Sequence, residues 1–272
     1  MTAYEVMQVD AQEAQMLDPQ ERANVDSQVA TAKRFPRDLQ RAINNSIALA
    51  TINAAVAQSC GYALPRGNKP ITGPSVHLAK ILAQQYGNLR AEAKVVQITP
   101  TQVVSRGTAW DMENNYAVAF EVRRSIIGKN GQRYTDDMIT VTGNAANAIA
   151  YRNAVLAIIP KAMTDEAYSA AQRKITGDIT DEDKLIARRK KVFDGFRDTY
   201  GITEKEALAL VGKETVNQVK ADQLAILIGI AQSLADGDTT VAELMKPYRT
   251  VAGEVAKIVT GDEQPEKQSK QA

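Results

Sequence analysis

The chain has 272 residues, 44% hydrophobic and 24% charged, with a formal net charge of +1. This length suffices for one good-sized domain with an appendage, and no apolar run approaches the roughly 18 residues that span a membrane. A single cysteine, Cys60, excludes an intrachain disulfide and a cysteine-based zinc site, and fits a reducing cytoplasm.

Residues 1–30 are polar and acidic and read as a flexible arm with at most a short helix; the opening MTAYEVMQVDAQEAQ lacks the basic-then-apolar pattern of a signal peptide. From Pro36, Leu39, Ile43, Ile47, Ala50, Ile52 and Val56 recur at helical spacing and predict one helix that ends before Gly61. GYALPRGNKPITGP (61–74) reads as a Gly/Pro-punctuated loop carrying Arg66 and Lys69. Thr72 is the expected cap of the next helix, with Pro74 in its first turn, and VHLAKILAQQY runs to Gly87 as its C-cap.

The period then changes to two. Segments 89–98, 102–111, 116–127 and 133–142 read as strands, separated by the turn sequences Asn114-Asn115 and Gly128-Lys129-Asn130-Gly131. Such short connections predict an antiparallel meander. The third strand sets Tyr116, Val118, Phe120 and Val122 against Ala117, Ala119, Glu121 and Arg123, so one face can pack on helices while the other is small and then charged.

GNAANAIAYRNAVLAIIPKAM (143–163) predicts an alanine-rich helix with Asn144 as N-cap and Pro160 as its end. Helices follow over 164–174 and 182–199, and a small helical module over 201–248. The expected class is α+β: an antiparallel β-meander packed with a long Ala-rich helix, followed by a small all-helical C-terminal module. The expected organisation is a flexible acidic arm (1–30), a core (31–200), a helical module (201–250) and a disordered tail (251–272).

Several chemistries lack their residues. His77 is the only histidine, and neither a G-x-x-x-x-G-K-[ST] loop nor a G-x-G-x-x-G occurs. Asp111, Glu113, Glu121, Asp136 and Asp137 lie on strands or their turns, where they either hold a divalent metal, as in a nuclease, or solvate turns and pair with arginines.

Charge is unevenly spread. Residues 31–175 carry 18 Lys/Arg against 9 Asp/Glu, residues 1–30 carry one against six, and the remainder is mildly acidic. A basic middle between acidic ends suits a polyanion-binding core. The candidate cations are Arg66 and Lys69, then Arg106, Arg123, Lys129 and Arg133, then Arg152 and Lys161; Trp110, Tyr134 and Tyr151 interleave as candidate base-stacking rings, or as ordinary core. Arg123 and Arg124 point to opposite faces, and Arg123 shares its face with Ala117 and Ala119. Arg152, set among Ile149, Val155 and Leu156, must meet a phosphate, water or an internal carboxylate such as Asp136 or Asp137, because an unpaired buried charge is costly.

In the residues GPSVHLAKILAQQYGN (73–88), GTAWDMENNYAVAFEVRRSI (107–126) and DDMITVTGNAANAIAYRNAVLAIIPKAM (136–163), the chain resembles the phage-type single-strand annealing proteins of the RecT and lambda Beta kind, which share a core with eukaryotic recombination annealing proteins. The resemblance covers about residues 30–250. It implies ATP-independent binding of single-stranded DNA and annealing of complementary strands during recombination, by a ring or helical homo-oligomer in the cytoplasm of a bacterial host. It implies no catalytic residue, no required cofactor, and Mg2+ only as a modulator of DNA binding. Arg152 and Lys161 would be phosphate ligands in a groove between sheet and helices, Asn153 a neutral donor, and segment 201–250 a contact for a phage exonuclease or a host single-strand-binding protein. The alternatives are a protein that coats single strands without annealing them, a metal-dependent nuclease using Asp111 or Glu121, and an oligomeric phage structural protein.

Overall fold

The computed structural model describes residues 19–66, 69–128, 130–177 and 182–249; the side chains of Arg66 and Lys69 are also outside the described part. Two antiparallel sheets and a set of helices make an α+β fold. The described residues open with α1 (Pro19–Arg34), which begins in what sequence alone assigns to a flexible arm (1–30) and runs on past it. The expected long helix is two: α2 (Leu39–Ala50), capped by Asp38, and α3 (Ala54–Ser59), capped by Asn53. The break follows from local competition for the backbone. The Thr51 hydroxyl donates to the Ile47 carbonyl (2.7 Å), and the Asn53 side chain accepts from the Val56 amide (2.9 Å).

Residues 61–74 are a hairpin rather than a loop: β1 (Gly61–Arg66) pairs with β2 (Lys69–Pro74) from Gly61 opposite Pro74 to Arg66 opposite Lys69. Proline is tolerated because each strand of a two-stranded ribbon has a free edge. Ser75, not Thr72, caps α4 (Val76–Tyr86), accepting from the His77 and Leu78 amides, and Gly87 ends it at φ +71°.

The larger sheet has the order β3 (Leu89–Ile98), β4 (Gln102–Asp111), β5 (Tyr116–Ser125), all antiparallel, with a bulge at Val96. The expected fourth strand over 133–142 does not form, and Asn144 is no cap. Thr135 caps α5 (Asp136–Ile158), and Asp136 and Asp137 fill its first turn, where the helix dipole favours anions. The β-branched residues of ITVT read as strand, but the Thr-Asp-Asp start and burial of Ile139 against the sheet decide for helix. A single bridge, Ile127 to Arg133, is the strand character that remains.

Helix α5 crosses one face of this sheet at backbone contact. A Cβ on Gly107 would lie 2.2 Å from the Ala150 carbonyl oxygen, and Ala146, Ala150 and Ala154 are buried beneath it. Then come α6 (Lys161–Gly177), α7 (Glu182–Tyr200), α8 (Glu204–Leu210), α9 (Ala221–Ala235) and α10 (241–249). Residues 201–249 do not stand apart: Leu224, Leu227 and Ile230 share one hydrophobic cluster with Leu78, Leu82 and Phe196. Ser233 of α9 also accepts from the Ala63 amide (3.2 Å) and donates to the Ala63 carbonyl (2.9 Å), tying α9 to the hairpin. Among the described residues, no helix is long and apolar enough to cross a membrane.

Candidate nucleic-acid interface

Strand alternation divides the sheet's residues between two faces. Val103, Ser105, Gly107 and Ala109 of β4 face α5, as the Ser105–Asn147 hydrogen bond and the Gly107 contact show. Gln102, Val104, Arg106, Thr108 and Trp110 therefore face the other way. In register with them stand Arg90, Glu92, Lys94 and Gln97 of β3, and Ala117, Ala119, Glu121, Arg123 and Ser125 of β5. Among the described residues, only α5 and the end of α4 make extensive contacts with this sheet. Among the described residues the outer face is otherwise open, although Val104 at its centre is buried.

Three cations cluster there. Lys94 stands directly opposite Arg106, a spacing of about 5 Å between Cβ atoms. Arg123 pairs with Val104 and so lies diagonal to Arg106, about 7–8 Å away. All three are exposed, and among the described residues their side chains have no ion pair or hydrogen bond. Glu121, opposite Arg106 on the other side, forms no ion pair with it. Like charges placed directly opposite on a sheet are destabilising, so a lysine facing an arginine with no carboxylate between them suits a polyanion from outside. Arg90, at the end of the face, reaches only Glu21 of α1, at 3.4 Å.

Trp110 is on this outer face, partly exposed, between Arg90 and the small Ala117. Its position suits stacking. Tyr134 and Tyr151 are elsewhere: Tyr134 packs on the cluster of Ile126 and Ile139, and Tyr151 on the main core, where burial raises its hydroxyl pKa.

The other expected site residues do not join this face. Arg152, on α5 behind the sheet, donates to Asp238 (3.1 Å) and lies 4.5 Å above the Tyr62 ring. It does meet an internal carboxylate, but one 86 positions away rather than Asp136 or Asp137. Asn153 accepts from Arg152 Nε at 3.5 Å, and exposed Lys161 pairs with Asp165 one turn on (2.5 Å). Arg133 is exposed on the turn after β5. Lys129 and the side chains of Arg66 and Lys69 lie outside the described residues.

The acidic candidates separate as well. Asp111 faces inward and is held by Arg37, whose Nη1 donates to it at 3.0 Å; Arg37 Nε and its amide donate to Glu113 at 3.0 and 2.8 Å. The guanidinium also stacks 3.8 Å above Tyr86. Burial alone would raise the Asp111 and Glu113 carboxyls, but the bonds from Arg37, Asn114 and Asn88 outweigh it and hold both below their usual values. Glu121 faces outward, so Asp111 and Glu121 lie on opposite faces and share no metal site. Among the described residues, no group of three or more potential metal-ligating side chains gathers. Cys60 is buried, and desolvation pushes its thiol up to about 12.

Sequence reasoning missed Lys94 and Arg90. The signal for them was present: they alternate with Ala91 and Ala93 in the same phase as Arg106 across the turn at 99–101. Arg37 and Asp238 carried no signal, since each finds its partner through the fold. Compared with known proteins, the chain matches no family model, no curated protein and no solved structure.

Proposed function

We propose that this chain binds single-stranded DNA across the open face of the β3–β5 sheet and anneals complementary strands without a nucleotide cofactor. The observation that carries the binding reading is the cluster of Lys94, Arg106 and Arg123, unpaired among the described residues, on a sheet face that no described element covers, beside Trp110. Phosphates would lie along the cations, whose contacts carry no sequence preference, while Trp110 stacks a base. The remaining bases would be free to pair with a second strand, and base pairing itself would supply the driving force. Annealing, rather than binding alone, rests on the resemblance of residues 73–88, 107–126 and 136–163 to phage annealing proteins. Both outer strands of the sheet, β3 and β5, have unpaired ten-residue edges among the described residues, which suits assembly of copies into a ring or filament.

The test uses two complementary dye-labelled oligonucleotides over a salt series, without nucleotide, with and without Mg2+. Faster duplex formation with intact strands is expected. Binding that blocks pairing would instead favour a coating protein. Shortened strands would mean a nuclease, and no binding at low salt would overturn the reading.

A further inference from the structure

The short connection between α9 and α10 carries two carboxylates into the space behind the sheet. Asp236 ends α9; Gly237 turns at φ +73°, with Ala145 of α5 3.0 Å from where a Cβ would be. The amide of Asp238 then donates to the Ser233 carbonyl (2.9 Å). This turn places the Asp238 carboxylate on Arg152 Nη1 (3.1 Å) and the Asp238 carbonyl on Arg124 Nη1 (2.7 Å). Two guanidiniums from separate elements, β5 and α5, thus converge on one residue, and the Tyr62 ring lies beneath the Arg152 guanidinium. A phosphodiester has the charge and acceptor oxygens to take the same two guanidiniums, and arginine suits it through its fork of donors.

The occupant is crowded. Asp236 Oδ1 is held by His77 Nε2 and Gln232 Nε2, both at 2.9 Å, but its Oδ2 is buried with no partner among the described residues. Glu243 of α10 adds a third carboxylate, 3.9 Å from Arg124 Nη2. Burial pushes the Asp238 carboxyl up, Arg152 pulls it down, Asp236 pushes it up again, and the balance lies above its usual value. Three carboxylates, Asp236, Asp238 and Glu243, thus crowd one neighbourhood that holds two arginines.

We propose that Arg124, Arg152 and Tyr62 form a second phosphodiester-binding site, and that loop 236–239 fills it with Asp238 as a built-in substitute, which bound nucleic acid displaces. The inference rests on the nucleic-acid-binding reading above. It places an autoinhibitory strap on the opposite side of β5 from the open cluster, so a strand held at Arg123 would need only to pass the sheet edge to reach Arg124.

The experiment measures salt-dependent binding of a dye-labelled single-stranded oligonucleotide by wild type, Asp238→Asn, Arg152→Ala and the double variant. Asp238→Asn is expected to bind more tightly and to steepen the salt slope by about 0.7, for Arg152 alone, since Arg124 is held by the Asp238 backbone carbonyl. Adding Arg152→Ala should remove that gain, and Arg152→Ala alone should weaken wild-type binding, because the bound strand that displaces Asp238 loses one of its two guanidiniums. In parallel, hydrogen exchange on the wild-type protein should show the Asp238 amide losing protection when the oligonucleotide binds. Salt-sensitive wild-type binding with an unchanged slope in Asp238→Asn, or undiminished protection at Asp238 on binding, would overturn the strap. Absence of binding by wild type and Asp238→Asn alike would overturn the nucleic-acid reading itself.

Discussion

The sheet can present a flat outer face only because α5 supports it from behind at backbone distance, and Gly107 is where that support is tightest. A Cβ at this position would lie 2.2 Å from the Ala150 oxygen, 2.4 Å from its carbonyl carbon and 2.9 Å from the Tyr151 nitrogen. All three are helix backbone atoms and cannot rotate aside, so Gly107→Ala must push α5 off β4 by about 1 Å to restore van der Waals separation, a gap that forfeits a quarter to a half of each affected contact. The buried Ala146, Ala150 and Ala154 have no longer side chain with which to fill the space. Overpacking of this kind costs about 1–3 kcal/mol, and rigid backbone on both sides places it at about 3 kcal/mol. Urea denaturation followed by the fluorescence of Trp110, the only tryptophan, reports on the same strand. Gly195→Ala is the control: nothing lies within 4 Å of its added Cβ, and a helix-interior glycine replaced by alanine should gain about 0.5–1 kcal/mol. A Gly107→Ala protein destabilised by less than about 1 kcal/mol would refute the close strand–helix contact.

Arg37→Met keeps most of the side-chain volume but strands the Asp111 carboxylate, only 4% exposed, and should cost about 3–5 kcal/mol in the same assay; a packing role alone predicts almost no loss. At Glu206, hydrogen bonds from Arg249 and the Thr203 capping box outweigh burial and lower the carboxyl from 4.5 to about 2. A depressed folded-state value stabilises above 4.5 and loses that contribution as pH falls toward 2. Glu206→Gln should therefore melt below wild type at pH 6 and together with it near pH 2; equal melting at pH 6 would remove the pairing. Cys60, buried and with its thiol pushed up to about 12, should resist thiol reagents until the protein unfolds, and rapid labelling of the native chain would contradict that burial.

The meander was readable because its strands alternate cleanly and its turns use Asn114-Asn115, so the observed strands 89–98, 102–111 and 116–125 follow the pattern closely. The C-cap at Gly87 and the end of α5 at Ile158, two residues before Pro160, were legible for the same local reasons. Segment 133–142 misled because ITVT has strand composition, while its fate is set by the cap at Thr135 and by what Ile139 buries. The hairpin at 61–74 hid behind its prolines and is held by Ser233, 170 positions from Ala63. At the site, Arg106 and Arg123 were legible as cations on strands, but their meeting with Lys94 depends on register. That Arg152 would be covered by Asp238 depends on how α9 ends, which no local pattern announces.

The open cluster is most directly tested by comparing wild type with Lys94→Ala/Arg106→Ala for binding of a single-stranded oligonucleotide between 50 and 200 mM salt. The three phosphate contacts of the open cluster contribute a log–log slope of about −2.1, an affinity loss of about 18-fold over that range. The double variant should retain one of these contacts, a slope of about −0.7 and a loss of about 2.6-fold, with no loss of thermal stability because, among the described residues, neither side chain has a partner to lose. Equal slopes for the two proteins would contradict the account and place DNA, if it binds at all, away from this face.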